Sequence, residues 1–315
     1  MRINFHHNTI YFIFTILVLS SCKNELIPSG YKTKNIIVVV IDGPRYSETW
    51  GDPTHQYIPR LANQLLPVGN IYSNFYNNGP TYTNAGHTAI TTGNYQEINN
   101  SGNELPQNPS IFQHWIQTFS KDTLAAWVIA SKDKLEILSD CLDVEWNGKH
   151  GPSTNCGVNG NGTGYRNDSI TYDTIIDILS THHPQLVLIN FREPDSSGHG
   201  NNWPGYTQGI QDTDQYAFQL WQFIENDSFY KGSTTLFVTN DHGRHLDGVA
   251  DGFVSHGDSC DGCRHINLYA FGPDFKEGQI IDIPREQIDI PATIAELLNF
   301  KMPKGKGEIM QELFK

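Results

Sequence analysis

Thr-Thr-Leu-Phe-Val-Thr-Asn-Asp-His-Gly-Arg-His, residues 234–245, decides how the rest of the chain is read. Its first half is apolar and β-branched, the composition of a buried strand. It then breaks into Asn240-Asp241-His242-Gly243, a polar knot that no strand interior accepts. Aspartate and histidine are both metal-ligand side chains, and the glycine behind them lets the chain turn away at once. In a parallel α/β sheet such a knot lies at the carboxyl edge, where these sheets bind ligands. Other strands should then end in matching ligands.

They do. Residues 35–42, Asn-Ile-Ile-Val-Val-Val-Ile-Asp, are apolar without alternation, as in a strand covered on both faces, and end in Asp42-Gly43. Residues 185–191 read as a strand followed by Arg192-Glu193-Pro194-Asp195-Ser196-Ser197-Gly198-His199. Further strands are expected at 123–130 and 265–271, and helices at 58–66, 86–92, 110–119, 168–179, 206–223 and 287–298. Residues 77–83 read as a turn-rich approach to the second of these helices. Alternating strands and helices call for one α/β domain with a largely parallel central sheet and helices on both faces. That domain spans residues 35–315, and the Gly/Asn-rich segment 140–166 reads as a small cap on it.

Chemistry collects at the strand ends. Asp42, Asp195 and Asp241 each follow a strand, His242 adjoins Asp241, and His199 lies four residues after Asp195, on the same face of a helical turn. His256, in Ser-His-Gly-Asp, is a further candidate. Singly, a strand-end aspartate is commonly a helix cap and a glycine-flanked histidine an ordinary loop residue. Together they make six ligands, enough for two sites of three. Mixed Asp/His ligation favours zinc over magnesium or calcium, and a two-metal site serves phosphoryl transfer. A nucleophile is offered by Pro80-Thr81-Tyr82-Thr83-Asn84-Ala85-Gly86-His87, where a hydroxyl meets the positive potential of a helix start. The plainer role of that threonine is a helix cap.

The net charge of -13 over 315 residues argues against nucleic acid or anionic lipid as a general partner. An acidic protein that handles phosphate needs local positive charge, which metal ions supply. At the N-terminus, Arg2, the apolar run 10–19 and Leu19-Ser20-Ser21-Cys22 read as a lipoprotein signal peptide over residues 1–21. Cys22 would carry the lipid and residues 22–34 form a tether, giving an exported bacterial lipoprotein anchored to a membrane and facing the periplasm or the exterior. In an oxidising compartment Cys141, Cys156, Cys260 and Cys263 are expected to form two disulfides, each between sequence neighbours. Cys260-Asp261-Gly262-Cys263 reads alternatively as half of a zinc site, with no second Cys-x-x-Cys to complete it.

In their order along the chain, these motifs resemble the alkaline phosphatase superfamily, particularly its nucleotide pyrophosphatase/phosphodiesterase and threonine-nucleophile bacterial phosphatase branches. The shared pattern is strand-Asp42-Gly43, Pro-Thr-x-Thr83-x-x-x-His87 with Thr92-Gly93, Pro194-Asp195-x-x-Gly198-His199, Asp241-His242-Gly243 and His256-Gly257. The resemblance implies two zinc ions, one among Asp42, Thr83, Asp241 and His242, the other held by Asp195, His199 and His256. His265 competes for the last position and ranks below His256, and His87 packs behind the nucleophile. Thr83 would attack phosphorus and become phosphothreonine. Ser131-Lys132-Asp133-Lys134 resembles the Ser-x-Lys-x-Arg segment of threonine-type monoesterases, with Lys134 in place of an arginine and without its bidentate fork. Asn100 matches an asparagine that holds a phosphate oxygen in that branch, and Arg244 is either a phosphate contact or a structural ion pair. The implied activity is phosphomonoester hydrolysis on a small-molecule substrate. The alternative is a phosphodiesterase or nucleotide pyrophosphatase using the same site. The sulfatase motif, Cys/Ser-x-Pro/Ala-x-Arg, is missing from the nucleophile region. A non-catalytic, ligand-binding surface lipoprotein would not need Thr83 beside a full ligand set.

Overall fold

The structure is a computed structural model and describes residues 1, 2 and 30–315; the apolar run and Cys22 lie outside the described residues. Its strands are β1 (Asn35–Asp42), β2 (Asn70–Tyr76), β3 (Ala126–Ala130), β4 (Ser153–Cys156) and β5 (Leu186–Pro194). They are followed by β6 (Thr234–Asn240), β7 (His265–Phe271), β8 (Gln279–Ile281) and β9 (Arg285–Glu286). The helices are α1 (Thr83–Thr92), α2 (Ile111–Phe119), α3 (Asp168–His182), α4 (Asp195–His199), α5 (Trp203–Asn226), α6 (Asp261–Arg264) and α7 (Asp289–Leu297).

β1 is buried along its whole length. Ile36, Val38 and Val40 enter one core with α1, α2 and α7, while Ile37, Val39 and Ile41 enter the other with α3 and α5. Cover on both faces is why the run shows no polar alternation. β5 and β6 flank β1, both parallel to it, and β3 lies parallel beyond β5. Four neighbouring strands therefore end at one edge. Residues far apart in sequence (Lys132, Asp195, Asp42 and Asp241) follow those ends and meet there.

The other side of the sheet is mixed. β7 runs antiparallel to both β6 and β2, so the residues leading into it start from the same edge. The sequence pattern does not predict β2: its Asn-Ile-Tyr-Ser-Asn-Phe-Tyr is broken by Ser73 and Asn74, and the register shifts between Tyr72 and Phe75 to absorb them. The short helix expected at 58–66 is present over 59–68, widening at Leu61–Leu65 and tightening into a last turn, Leu66–Val68, that contains Pro67. Residues 140–166 supply the edge strand β4, parallel to β3.

The expected disulfides are absent: Cys141, Cys156, Cys260 and Cys263 are all free. Cys156 packs into the core and its thiol faces the Val128 carbonyl at 3.8 Å, whereas Cys141 lies beside Gln113. The two thiols are directed at different neighbours.

Two glycines set how closely the site elements approach. Gly243 is needed for space rather than for a turn, because a Cβ there would stand 2.1 Å from the Gly262 carbonyl. The left-handed glycine at this edge is Gly43, with φ +67°. On α1, a Cβ at Gly86 would stand 2.4 Å from the Asp241 carbonyl oxygen. Gly86→Ala should therefore destabilise the protein by about 1–3 kcal/mol, outweighing the roughly 0.5–1 kcal/mol that alanine gains within a helix. Urea unfolding checks this, and an unchanged or higher midpoint would refute the close approach of α1 to β6.

Candidate metal centre and nucleophile

Asp42 at the end of β1 and Asp241-His242 just past β6 converge on one point. His242 Nε2 lies 3.5 Å from Asp42 Oδ1 and 3.4 Å from Asp241 Oδ2. All three residues are fully buried, and none of these three atoms has a hydrogen-bond partner. The rest of each group is already held. Asp241 Oδ1 accepts from the backbone N–H groups of Gly43 and His242, and His242 Nδ1 lies 2.9 Å from the Gly243 carbonyl. Burial, then the Asp42 charge, pushes the Asp241 carboxyl well above the usual carboxylate range. Burial, then the nearby His256, holds the His242 imidazole well below its usual value, leaving it neutral.

A second triangle adjoins the first. Asp195 opens α4 and His199 closes it, so the helical turn sets both on one side. His199 Nε2 lies 3.3 Å from Asp195 Oδ1, His256 Nε2 also 3.3 Å from it, and the two imidazole nitrogens are 3.0 Å apart. His256 Nδ1 lies 2.7 Å from the Thr81 carbonyl, which aims Nε2 inward. The rings of His242 and His256 stack at 3.8 Å, so the triangles share a border.

Both triangles fit a divalent ion. Ligands about 2.0–2.1 Å from a tetrahedral zinc ion lie roughly 3.4 Å from one another. In the first triangle, three buried atoms facing each other without hydrogen bonds are what a cation site leaves in the protein's own bonding pattern; in the second, Asp195 Oδ1 also accepts from Arg244 and the two histidine nitrogens meet each other. Asp42, Asp241 and His242 would hold one ion, and Asp195, His199 and His256 the other.

Thr83 is the first residue of α1 and is 1% exposed. Its Oγ1 lies 3.2 Å from Lys132 Nζ, which also contacts Asp195 Oδ2 at 2.7 Å and Asp42 Oδ2 at 2.9 Å. Burial opposes ionisation of Asp195, yet Lys132, His256 and Arg244 outweigh it and hold that carboxyl well below the usual range. Lys134 Nζ donates to Asn100 Oδ1 at 3.0 Å, and the same oxygen accepts the Asn84 backbone N–H. Burial and the Lys132 charge lower the Lys134 ammonium to about 8. Thr83, Asn100, Lys132, Lys134, Asp195, His199 and His256 all line one cleft of about 670 Å³, with Tyr82 and Tyr165 in its wall.

Arg244 does not line this cleft. Its fully buried guanidinium pairs with Asp195 and donates to the Phe253 and Val254 carbonyls, so of its two readings the structural ion pair is the one present. His265 is also placed elsewhere, stacked between Tyr46 and Tyr76 with Nε2 3.0 Å from the Ser73 carbonyl. His87 lies behind Thr83, its Nδ1 2.8 Å from the Thr83 carbonyl, and burial lowers its imidazole to about 3. Two supporting residues escaped the sequence reading. Asn190 Nδ2 bridges Asp42 Oδ2 and His87 Nε2, and its amide inside an apolar strand was the available signal. Asp168 accepts from Ser131 Oγ and from the Arg192 and Glu193 backbone, tying the loop of Lys132 to that of Asp195. An aspartate at the start of a helix is ordinarily a cap, so nothing in the sequence marks it for this role.

The orphaned atoms of the first triangle give a prediction. In Asp241→Asn the oxygen that accepts from Gly43 and His242 is kept, and the new amide can donate to Asp42 or His242. In chelator this variant should unfold no earlier than the wild type, because a buried charge beside Asp42 is gone. With zinc at about 100 times its Kd the wild type should gain about 2.7 kcal/mol from this site, and the variant most of that less. Thermal unfolding with and without zinc measures both. Equal zinc stabilisation of the two proteins would dismiss Asp241 as a ligand.

A family model described as the Metalloenzyme superfamily matches residues 34–302. Among solved structures, the phosphonate monoester hydrolase SpPMH from Silicibacter pomeroyi superposes with a TM-score of 0.63 at 13% identity, covering 89% of this chain and 76% of that one. Murine ectonucleotide pyrophosphatase / phosphodiesterase 5 gives 0.61 at 16% identity, covering 89% of this chain and 100% of that one. The lipoteichoic acid synthase LtaP from Listeria monocytogenes gives 0.64 at 13% identity, covering 90% of this chain and 75% of that one. At these identities the likeness is one of fold. The chain thus belongs to the Metalloenzyme superfamily, and its fold is that of the alkaline phosphatase superfamily.

Proposed function

We propose that this protein is a two-zinc phosphoric ester hydrolase that acts on small phosphomonoesters through a phosphothreonine at Thr83. The observation that carries the reading is the place of Thr83 Oγ1, in a cleft lined by Asp195, His199 and His256 together with Lys132, Lys134 and Asn100, where the Lys132 ammonium beside it also reaches Asp42 of the other triangle. Zinc at the two triangles would supply Lewis-acid polarisation of a phosphoryl oxygen and a lowered pKa for the attacking and leaving oxygens. The histidines on both triangles favour zinc over magnesium.

The chain's own groups account for the rest. Thr83 stands at the start of α1, where the helix dipole favours the anion its hydroxyl must become. The Lys132 ammonium is close enough to stabilise that alkoxide and then an equatorial phosphoryl oxygen. Lys134 supplies a second cation at neutral pH, and Asn100 fixes it against the backbone of α1. A monoester dianion gains more from two ammonium groups than a diester monoanion does. The volume of the cleft supports a second reading, a phosphodiesterase, because about 670 Å³ leaves room for a second ester group beside Tyr82 and Tyr165.

Rates on an aryl phosphate and on the matching bis-aryl phosphate separate the two. The monoester should be preferred, and Lys132→Ala should lower its kcat/KM about 10²–10³-fold while affecting the diester less. Thr83→Ala should abolish turnover of both and the acid-stable phosphoryl label on the enzyme. A diester preference indifferent to Lys132 would favour the diesterase, and a fully active Thr83→Ala would reject the nucleophile.

A further inference from the structure

A second group of metal-ligand side chains lies outside the cleft. His245 follows β6, and Asp258, Cys260 and Cys263 lead into β7 through the single turn α6. One ligand atom from each of these four residues lies within 4.8 Å of all the others. None of the four lines the cleft. Their donors are two sulfurs, an imidazole nitrogen and a carboxylate oxygen, a set suited to tetrahedral zinc and not to the hard cations calcium or magnesium.

His245 points to a ligand independently of that count. It is 6% exposed, and its Nε2 stands 3.1 Å from Asp258 Oδ2 in a geometry that makes no hydrogen bond. The other ring nitrogen is firmly held, with Nδ1 3.2 Å from Asp251 Oδ1 and 3.1 Å from Ser255 Oγ. A metal-binding imidazole is oriented in this way, one nitrogen fixed by a carboxylate so that the other faces the ion. Cys263 is fully buried and Cys260 partly so, and both thiols are free.

We propose that His245, Asp258, Cys260 and Cys263 bind one zinc ion, separate from the cleft and structural in role. Four protein ligands leave no open position for substrate or water, the mark of a structural site. The ion would clamp the base of the loop between β6 and β7, and that loop carries His256. Thr81 Oγ1 donates to the Asp258 carbonyl at 2.7 Å, and the Gly243 backbone N–H donates to the Cys263 carbonyl at 2.8 Å. One clamp would thus position His256, the approach to Thr83 and the turn after His242. It stands whatever reaction Thr83 performs.

Exchange of cobalt for the bound metal in the reduced full-length protein tests the site. Thiolate-to-cobalt charge-transfer absorption should appear in the near ultraviolet, and zinc content should fall by one ion per chain in Cys260→Ser/Cys263→Ser. The wild-type spectrum is read without any variant, so a folding defect cannot produce it. Asp42→Asn/Asp195→Asn should keep the absorption while losing metal from the cleft, so failure of the hydrolase reading and failure of this site are told apart. Absence of the absorption in the wild type, its persistence in the double serine variant, or a Cys260–Cys263 disulfide in protein isolated from its native compartment would overturn the proposal.

Discussion

Three atoms at the end of a fully buried strand pair face one another with nothing to bond to: Asp42 Oδ1, Asp241 Oδ2 and His242 Nε2. Each such atom costs about 1–3 kcal/mol, and two of them belong to carboxylates whose charges repel. A divalent cation removes all of these penalties at once. Much of the surrounding structure serves to keep the three atoms in place. Asn190 holds Asp42 against His87, the Gly43 backbone N–H holds Asp241, and Gly86 lets α1 approach the Asp241 carbonyl.

The same edge explains how one sheet assembles so much chemistry. β3, β5, β1 and β6 are parallel neighbours, so the residues that follow them need no long excursion to meet. β7 is antiparallel and approaches from that edge, which brings His256 and the cysteine turn to the site before the strand begins. Positive charge is rationed in this acidic chain. Lys132 and Lys134 sit within two residues of each other on the β3 loop, where desolvation strengthens their attraction for an anion. Arg244, the remaining cation close by, is committed to Asp195 and to backbone carbonyls.

The strands that carry the ligands were legible because burial on both faces imposes an apolar run, and the polar knots at Asp42-Gly43, after 191 and from Asn240 stood out against it. β7 was legible as a strand but not in direction, since antiparallel and parallel pairing leave the same apolar signal in His-Ile-Asn-Leu-Tyr-Ala-Phe. β2 was hidden by Ser73 and Asn74, whose misfit is resolved by a register shift that depends on its partner. Five of the six ligand candidates could be named from strand ends and helical spacing, and His256 from the family resemblance. The roles of Arg244 and the four cysteines could not, because each depends on which distant backbone or side chain lies opposite. The expectation of export suggested disulfides, whereas packing sends Cys156 into the core and Cys260 and Cys263 toward His245.

The central claim proposed is that two ions sit at the two ligand triangles beside Thr83. Crystallography of zinc-loaded protein, with anomalous data collected on both sides of the zinc absorption edge, measures this directly. The account predicts one peak bounded by Asp42, Asp241 and His242 and another bounded by Asp195, His199 and His256, with Thr83 Oγ1 facing the first. A cleft that shows no anomalous peak in the zinc-loaded crystal, or a single peak outside both triangles, would contradict it.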